Sequence, residues 1–279
     1  MTEPATTPTY LFILCPPYSG STLLWRLVAT SSHASILPAE GQFLPEVRDE
    51  MRAAAWEPDR DVGWPRVKAV WDDYWDQAMP VLVEKSPPNA ARAREIVEHF
   101  DPVAFLVMVR NPYAHVEGLM RRNGWRATRA AAFAAMTLDV QTDNARTLPD
   151  AVHFTYEDLA ADPAGVLGRV RELLPVLDDM DATGEFAIHS VDGTVARGVV
   201  NLNARKIRRL SGRSLRAINT VLDEHHDAMA FWGYDREEPT VARSARAVGV
   251  RSVDAARRAG RFSRRVIRGV RRRLRPSRR

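Results

Sequence analysis

The stretch Tyr10–Ser31, YLFILCPPYSGSTLLWRLVATS, constrains the fold of this chain more than any other part of it. Its first six residues, through Cys15, are apolar or aromatic, which predicts a buried strand. The next two, Pro16 and Pro17, end that strand because proline cannot donate to a sheet ladder. The small residues 19–22 then lead into leucines at helical spacing. The pattern therefore predicts a strand, a tight loop and a helix in immediate succession.

The loop is suited to binding phosphate. Backbone N–H groups and the positive end of a helix dipole meet where a strand runs through a loop into a helix. The hydroxyls of Ser19, Ser21 and Thr22 add donors to the same place. The loop is not a Walker A motif, because Gly20 is followed by Ser21 and no lysine is near. Such a tetrapeptide also occurs in plain turns, so the loop alone leaves both interpretations open.

The rest of the chain alternates strands with helices. Apolar runs predict further strands at 80–83, 103–109 and 152–155. Helical patterns cover 45–80, 90–100, 127–147, 163–174 and 213–230, and 188–206 is expected to be irregular. This alternation predicts an α/β fold, a P-loop-type parallel β-sheet with helices on both faces. We assign residues 1–239 to this domain and 240–279 to a basic tail.

Three charged residues stand where such a fold places ligands. Lys85 and Arg110 each follow a predicted strand, and open parallel sheets bind ligands at the carboxyl ends of their strands. Glu40 lies in a turn marked by Pro38 and Gly41, ahead of the next helical pattern. Taken alone, Glu40 is typical of a solvated acid favoured by a helix dipole.

Composition narrows the class of protein. A chain of 279 residues with 45% apolar content can bury one large core. No apolar run approaches the ~18 residues of a membrane span, and residues 1–9 lack the pattern of a signal peptide. A single cysteine, Cys15, rules out an internal disulfide. We therefore expect a cytoplasmic protein.

The tail differs from the body in charge. Residues 240–279 hold fifteen Arg and one acid, a net charge of +14, which leaves −9 on the preceding residues. Phe262, Val266, Val270 and Leu274 recur at four-residue spacing among these arginines. This pattern leaves two alternatives for the tail. It is either a basic amphipathic helix that lies on the anionic inner face of the membrane or a solvated disordered segment. Because the body is acidic and carries no nucleic-acid motif, no nucleic-acid partner is expected.

Four segments in order, together with a closing FWGY at 231–234, resemble the sulfotransferase family. The segments are PYSGSTLL (17–24), VEKSPPN (83–89), LVMVRNP (106–112) and FTYEDLAADP (154–163). Members of this family move a sulfuryl group from 3′-phosphoadenosine 5′-phosphosulfate (PAPS) to a hydroxyl or amine. The resemblance covers residues 10–235. Within the family, the chain looks closest to the bacterial and tyrosylprotein-type branch.

The resemblance implies a role for each matched residue, with PAPS as co-substrate and no metal. The loop that wraps the 5′-phosphosulfate corresponds to Ser19, Gly20, Ser21 and Thr22, preceded by Tyr18. Arg110 corresponds to the arginine that holds the 3′-phosphate. Glu40 corresponds to the general base, and this role replaces the interpretation of Glu40 as a solvated acid in a turn. Lys85 corresponds to the lysine that contacts the transferring group. Glu157 and Asp158 match a segment expected to cap a helix.

Two positions depart from the family pattern. Tyr18 stands where relatives usually carry Lys or Arg, so more of the charge stabilisation should fall on Lys85. Gly118 stands where relatives usually carry a serine that binds the 3′-phosphate. Arg121, Arg122 or the basic loop 197–206 are the candidates to replace that contact.

The sequence leaves two alternatives to a PAPS-dependent sulfotransferase. One is a degenerate nucleotide-binding module without catalytic activity, which would keep the fold but lose turnover. The other is a P-loop small-molecule kinase, which the missing Gly-Lys pair opposes. The acceptor is not specified by the sequence, so glycan, lipid, peptide and small metabolite all stay open.

Overall fold

The computed structural model describes residues 7–58, 60–188, 194–197 and 199–239, with backbone only for 185–188 and 194–197. The tail, 240–279, and the membrane-binding prediction made for it lie outside the described residues.

A parallel sheet of five strands forms the centre of the molecule. The strand order is β2-β3-β1-β4-β5, so that β1 lies in the middle of the sheet. Neighbouring strands are parallel throughout. The predicted α/β fold with a parallel sheet is thereby confirmed. The strands are β1 (Thr9–Leu14), β2 (Ala34–Ile36), β3 (Val81–Glu84), β4 (Val103–Val109) and β5 (Ala151–Thr155).

Eleven α-helices are found among the described residues. They are α1 (Ser21–Val28), α2 (Arg48–Arg52), α3 (Trp64–Tyr74), α4 (Ala93–His99), α5 (Pro112–Asn123), α6 (Ala127–Thr147), α7 (Tyr156–Ala161), α8 (Pro163–Leu173), α9 (Asn203–Ile207), α10 (Gly212–Leu222) and α11 (His226–Phe231). Short 3₁₀ turns occupy Gly41–Phe43, Pro87–Arg92, Pro175–Leu177 and Asp223–His225. In the part of the chain that the structure describes, no helix combines the length and apolarity that a membrane crossing requires.

Both faces of the sheet are buried, as the residues of β1 show. Tyr10, Phe12 and Leu14 point into one apolar cluster, which includes the aromatic rings of α3 and Phe100. Leu11 and Ile13 point into a second cluster, formed with α1 and α8. Successive side chains of a strand face opposite sides, so a strand buried on both sides reads as a continuous apolar run. This explains why β1 could be recognised in the sequence.

Three segments differ from the sequence-based predictions. The pattern at 45–80 forms two helices, α2 and α3, because Pro65 fits only the first turn of a helix and α3 therefore begins at Trp64. The three-residue strand β2 was not predicted, and all its residues are only partly buried. The supposedly irregular stretch 188–206 contains part of an antiparallel hairpin, β6 (Glu185–Ile188) and β7 (Thr194–Arg197), and also α9.

A buried glutamine on α6 fixes the carboxyl edge of the sheet. The Nε2 amide of Gln141 donates to the carbonyl of Leu14, at 2.6 Å, and to that of Met108, at 3.1 Å. These carbonyls stand at the ends of the adjacent strands β1 and β4, so one side chain satisfies both. The backbone from which the loops after these two strands begin is therefore held in place.

Candidate active site

The loop between β1 and α1 turns sharply. Tyr18 and Gly20 both have positive φ angles, of 63° and 111°. A Cβ atom on Gly20 would lie 2.7 Å from the ring of Tyr156, so only glycine fits there. No side chain caps α1, and its first turn contains no acidic residue. The positive end of the helix dipole is therefore left available to an anion.

Ser19 lies at the bottom of this loop. The residue is fully buried, and its hydroxyl has no hydrogen-bond partner among the described residues. Buried polar atoms are normally paired, because leaving one unpaired costs about 1–3 kcal/mol. The hydroxyl of Ser19 is thus a donor that a bound ligand would satisfy. Ser21 is also buried, and Thr22 is partly exposed beside it.

Arg110 extends from the end of β4 to the same loop. Its guanidinium lies 3.9 Å from the centre of the Tyr156 ring, and its Nε donates to Asn203 Oδ1 at 2.7 Å. Its Nη1 donates to the Tyr18 carbonyl at 3.4 Å, whereas Nη2 is buried with no partner among the described residues. Burial lowers the pKa of Arg110. One donor of this buried cation is therefore available to an anion.

Lys206, on α9, lies beside Arg110. Its ammonium is buried and is 3.4 Å from the Tyr18 carbonyl. Burial and then the charge of Arg110 lower the pKa of Lys206 well below its usual value. A Cβ on Gly118 would lie 3.5 Å from the Lys206 ammonium, so the lysine borders the position that lacks the family serine.

This lysine belongs to the basic loop that the sequence offered as one replacement for the missing serine. A second candidate, Arg121, is instead paired with Glu117 at 3.1 Å. Among the candidates whose side chains the structure describes, Lys206 is the one whose cationic group lies within 4 Å of a Cβ added at Gly118.

Tyr18 contributes to the site through its backbone. Its side chain is 38% exposed, and its hydroxyl donates to Asn123 Oδ1 at 2.7 Å, at the end of α5. Its carbonyl instead faces the two cations. The loop position that carries a cation in relatives is thus occupied by a neutral ring whose hydroxyl already has a partner.

Glu40 and Lys85 are brought together on the other side of β1. Lys85 directly follows β3 and is buried, with its ammonium paired to Glu40 Oε1. The Glu40 side chain is 23% exposed, and its other oxygen accepts from Gln42 Nε2 at 2.6 Å. The Lys85 ammonium is 5.7 Å from the centre of the Trp25 ring on α1. Glu40 is therefore a paired and partly buried carboxylate, and the interpretation as a freely solvated turn acid is wrong.

Glu84, the residue before Lys85, was missed by the sequence analysis. It is fully buried, and burial raises its pKa to about 7. Its oxygens accept hydrogen bonds from Gly41 N and Ser86 N, both at 2.9 Å, and from Ser86 Oγ and Asn89 Nδ2, both at 2.5 Å. The one signal in the sequence was an acid at the end of an otherwise apolar strand.

The Tyr156-Glu157-Asp158 segment has two distinct roles. Asp158 and Thr155 form the predicted helix cap, with reciprocal hydrogen bonds of 3.0 and 2.9 Å. The expectation that Glu157 also caps is wrong, because its carboxylate accepts from Asn111 N at 3.1 Å, from Tyr234 OH at 2.7 Å, and from Asn203 Nδ2. Glu157 thereby orients Asn203, which in turn orients Arg110.

Potential metal ligands are grouped elsewhere. Across the described residues, the group with suitable spacing is His33, Asp178 and Asp179, of which the two acids are exposed. It includes none of the residues that surround the loop.

Similarity to known proteins identifies the family of this chain. The profile of the sulfotransferase family matches residues 8–177, more than half of the chain. The chain belongs to the sulfotransferase family. The match includes the loop, Glu40, Lys85 and Arg110, whereas Lys206 lies beyond it. No curated protein matches this chain.

Several solved structures are similar to this chain. The sulfotransferase domain from the curacin biosynthetic pathway is 18% identical, with a TM-score of 0.49 over 82% of this chain and 99% of that one. A sulfotransferase domain from the Synechococcus PCC 7002 olefin synthase is 20% identical, with a TM-score of 0.46 over 78% and 97%. A sulfotransferase from Alicyclobacillus acidocaldarius is 13% identical, with a TM-score of 0.48 over 82% and 97%.

Proposed function

We propose that this protein transfers a sulfuryl group from PAPS to a hydroxyl or amine acceptor by in-line displacement. In this proposal Glu40 is the general base, Lys85 stabilises the transferring group, and Arg110 with the loop 18–22 holds the donor. The observation that supports it best is the placement of an acid–lysine pair and a buried arginine on opposite sides of one anion-binding loop.

Strand order accounts for that placement. β1, which leads into the loop, lies between β3 and β4. Lys85 and Arg110 follow those two strands, so the carboxyl edge of a parallel sheet presents them on either side of the loop. Both cations lower the pKa of the buried Cys15 thiol, although burial has the larger effect and the pKa is raised to about 12. A multiply anionic ligand in the loop would therefore lie between two positive charges.

The unpaired donors of the site fit such a ligand. The Ser19 hydroxyl and Arg110 Nη2 are buried without partners among the described residues, and Lys206 has a carbonyl as its hydrogen-bonded neighbour. PAPS would supply an activated sulfuryl group and a 3′-phosphate. We assign Ser19, Gly20, Ser21 and Thr22 to the phosphosulfate and Arg110 to the 3′-phosphate, with Lys206 as its second cation. Charge-assisted hydrogen bonds of this kind are about twice as strong as neutral ones.

The chemical step needs little beyond positioning and charge. As the acceptor oxygen bonds to sulfur, the bond from sulfur to the donor phosphate breaks and 3′-phosphoadenosine 5′-phosphate (PAP) leaves. The acceptor proton passes to Glu40, a role suited to a carboxylate at the edge of a buried site. Lys85 neutralises charge on the transferring oxygens, which is where preorganised cations contribute most.

Labelled donor tests this function directly. The protein would be incubated with sulfur-labelled PAPS and a host cell extract, in the presence of a chelator, and the labelled product identified by mass spectrometry. We expect a labelled product with the wild type, and a loss of about 10²–10⁴-fold in its rate of formation with Glu40→Gln. Calorimetry should show equal PAP affinity for both proteins. Tight PAP binding without any transfer would favour a non-catalytic module, and tighter binding of Mg-ATP would favour a kinase.

A further inference from the structure

The buried carboxylate of Glu84 connects β3 to the turn that carries Glu40. Glu84 is the last residue of β3 and lies opposite Phe12 of β1 in the sheet. Its Oε1 accepts the backbone N–H of Gly41, the residue that directly follows Glu40. This contact joins the centre of the sheet to a turn whose residues lie far away in the sequence.

A second connection runs through Ser86. The Ser86 hydroxyl donates to Glu84 Oε1 and accepts the backbone N–H of Gln42 at 3.0 Å. The side chain of Gln42 then donates to Glu40 Oε2. The Glu40 carboxylate is thereby held from two directions, by Lys85 directly and by Gln42, whose backbone depends on Glu84.

The four contacts of Glu84 explain why a carboxylate is needed here. The donors are two backbone N–H groups, one hydroxyl and one amide, and they share the two oxygens equally. An ionised carboxylate can accept all four, whereas a glutamine would place an NH₂ group against at least one of these donors. Burial raises the pKa of Glu84, its hydrogen bonds to Gly41 and Ser86 lower it, and the net result is a pKa of about 7.

We infer that Glu84 is a positioning residue for this enzyme, which sets Glu40 against Lys85 by anchoring the backbone of Gly41 and Gln42. The inference rests on the proposed function, since it assumes that Glu40 is the base. Glu84 acts through Glu40 and does not itself meet the acceptor. A misplacement of a catalytic group by about 1 Å can cost about 10²-fold in rate.

A double-mutant cycle tests whether Glu84 works through Glu40. Turnover with labelled PAPS would be measured for Glu84→Gln, for Glu40→Gln and for the double variant. We expect Glu84→Gln to lower the rate by about 10²-fold in the wild type, and by less than about twofold when Glu40 is already glutamine, because residues that act as a unit are not additive. Equal losses in both backgrounds would overturn the inference, since they would mean general destabilisation.

Hydrogen exchange tests the anchoring without relying on turnover. Peptides that contain residues 40–44 should exchange faster in Glu84→Gln, whereas peptides from β4 should not change. Glu50→Gln is the matched control, because Glu50 likewise accepts a glycine N–H from a loop, that of Gly63 at 2.8 Å, and should leave 40–44 unchanged. Unchanged exchange of 40–44 in Glu84→Gln would overturn the inference even if Glu40 proved to be the base.

Ser86→Ala provides a milder variant if Glu84→Gln does not fold. It removes the hydroxyl that links Glu84 to Gln42 N and should give a smaller effect in the same direction in both experiments. If Ser86→Ala left both turnover and exchange at wild-type values, the inference would be wrong. Wild-type turnover in Glu40→Gln would instead contradict the proposed function, and the exchange experiment would still decide the role of Glu84.

Discussion

Arg110 and Lys206 direct their cationic groups at one backbone oxygen, the carbonyl of Tyr18, each at 3.4 Å. Both side chains are buried, and for each of them burial is the main cause of a lowered pKa. Two buried cations that share a neutral acceptor are poorly compensated in the free protein. A phosphate dianion at this place would compensate both, which is why we assign the pair to the 3′-phosphate.

Lys206→Met should therefore weaken binding of PAP by about 10–100-fold, because a hydrogen bond to a charged group contributes about 1.5–3 kcal/mol. The affinity for adenosine 5′-phosphosulfate, which lacks the 3′-phosphate, should change little. Calorimetry with both ligands distinguishes a local contact from a general loss of structure. Lys68→Met, at a lysine that pairs with Asp72, is the control and should bind both ligands normally. An equal loss for the two ligands would remove Lys206 from the 3′-phosphate site.

Gly118→Ala tests the space beside these cations. The added methyl would lie 3.1 Å from Tyr18 Cβ, so the loop has to give by a few tenths of an ångström, whereas its distance of 3.5 Å from the Lys206 ammonium is an ordinary contact. We expect PAP affinity to fall by about tenfold while the protein stays folded. Gly168→Ala, within α8, meets no atom within 4 Å and should leave affinity unchanged. Unaltered PAP binding in Gly118→Ala would show that this side of the loop does not contact the ligand.

His115 makes the stability of the protein depend on pH. The ring is buried and bonded to the Pro17 carbonyl, and burial lowers its pKa from 6.5 to about 3. Since the folded pKa lies below the unfolded one, the unfolded state binds more protons between these values, and stability falls as the pH drops from 6.5 towards 3. The slope is at most about 1.4 kcal/mol per pH unit.

His115→Asn should make this loss of stability on acidification shallower, whatever it costs at neutral pH. Urea unfolding at several pH values measures the slope, and the exposed His226 provides the control in His226→Asn. An identical slope in His115→Asn and wild type would mean that other groups dominate acid unfolding.

The sequence predicted those parts of the fold and site that depend on short segments. β1, β3 and β4 were recognisable because strands buried on both faces are continuous apolar runs. The partly exposed strand β2 carries no such run, and it was missed. Glu84 and Lys206 were missed as individual site residues because their roles depend on contacts between distant segments. Glu84 accepts the N–H of Gly41, which is 43 residues away in the chain, and Lys206 reaches Tyr18 from α9, so no local pattern marks either of them.

The contributions of Lys85 and Tyr18 to the rate of sulfuryl transfer should differ strongly. Lys85 is buried and paired with Glu40, whereas the Tyr18 hydroxyl is bound to Asn123, away from the two cations that face its carbonyl. Lys85→Met should lower the single-turnover rate with PAPS by about 10²–10³-fold, the usual effect of removing a group that stabilises the transition state. Tyr18→Phe should lower it less than about threefold, because the hydrogen bond that it removes is exposed and neutral. PAP affinity, measured by calorimetry, should stay near wild type in Tyr18→Phe. If Lys85→Met transferred sulfuryl at the wild-type rate, or if Tyr18→Phe were the slower variant, the assignment of Lys85 to the transferring group would be wrong.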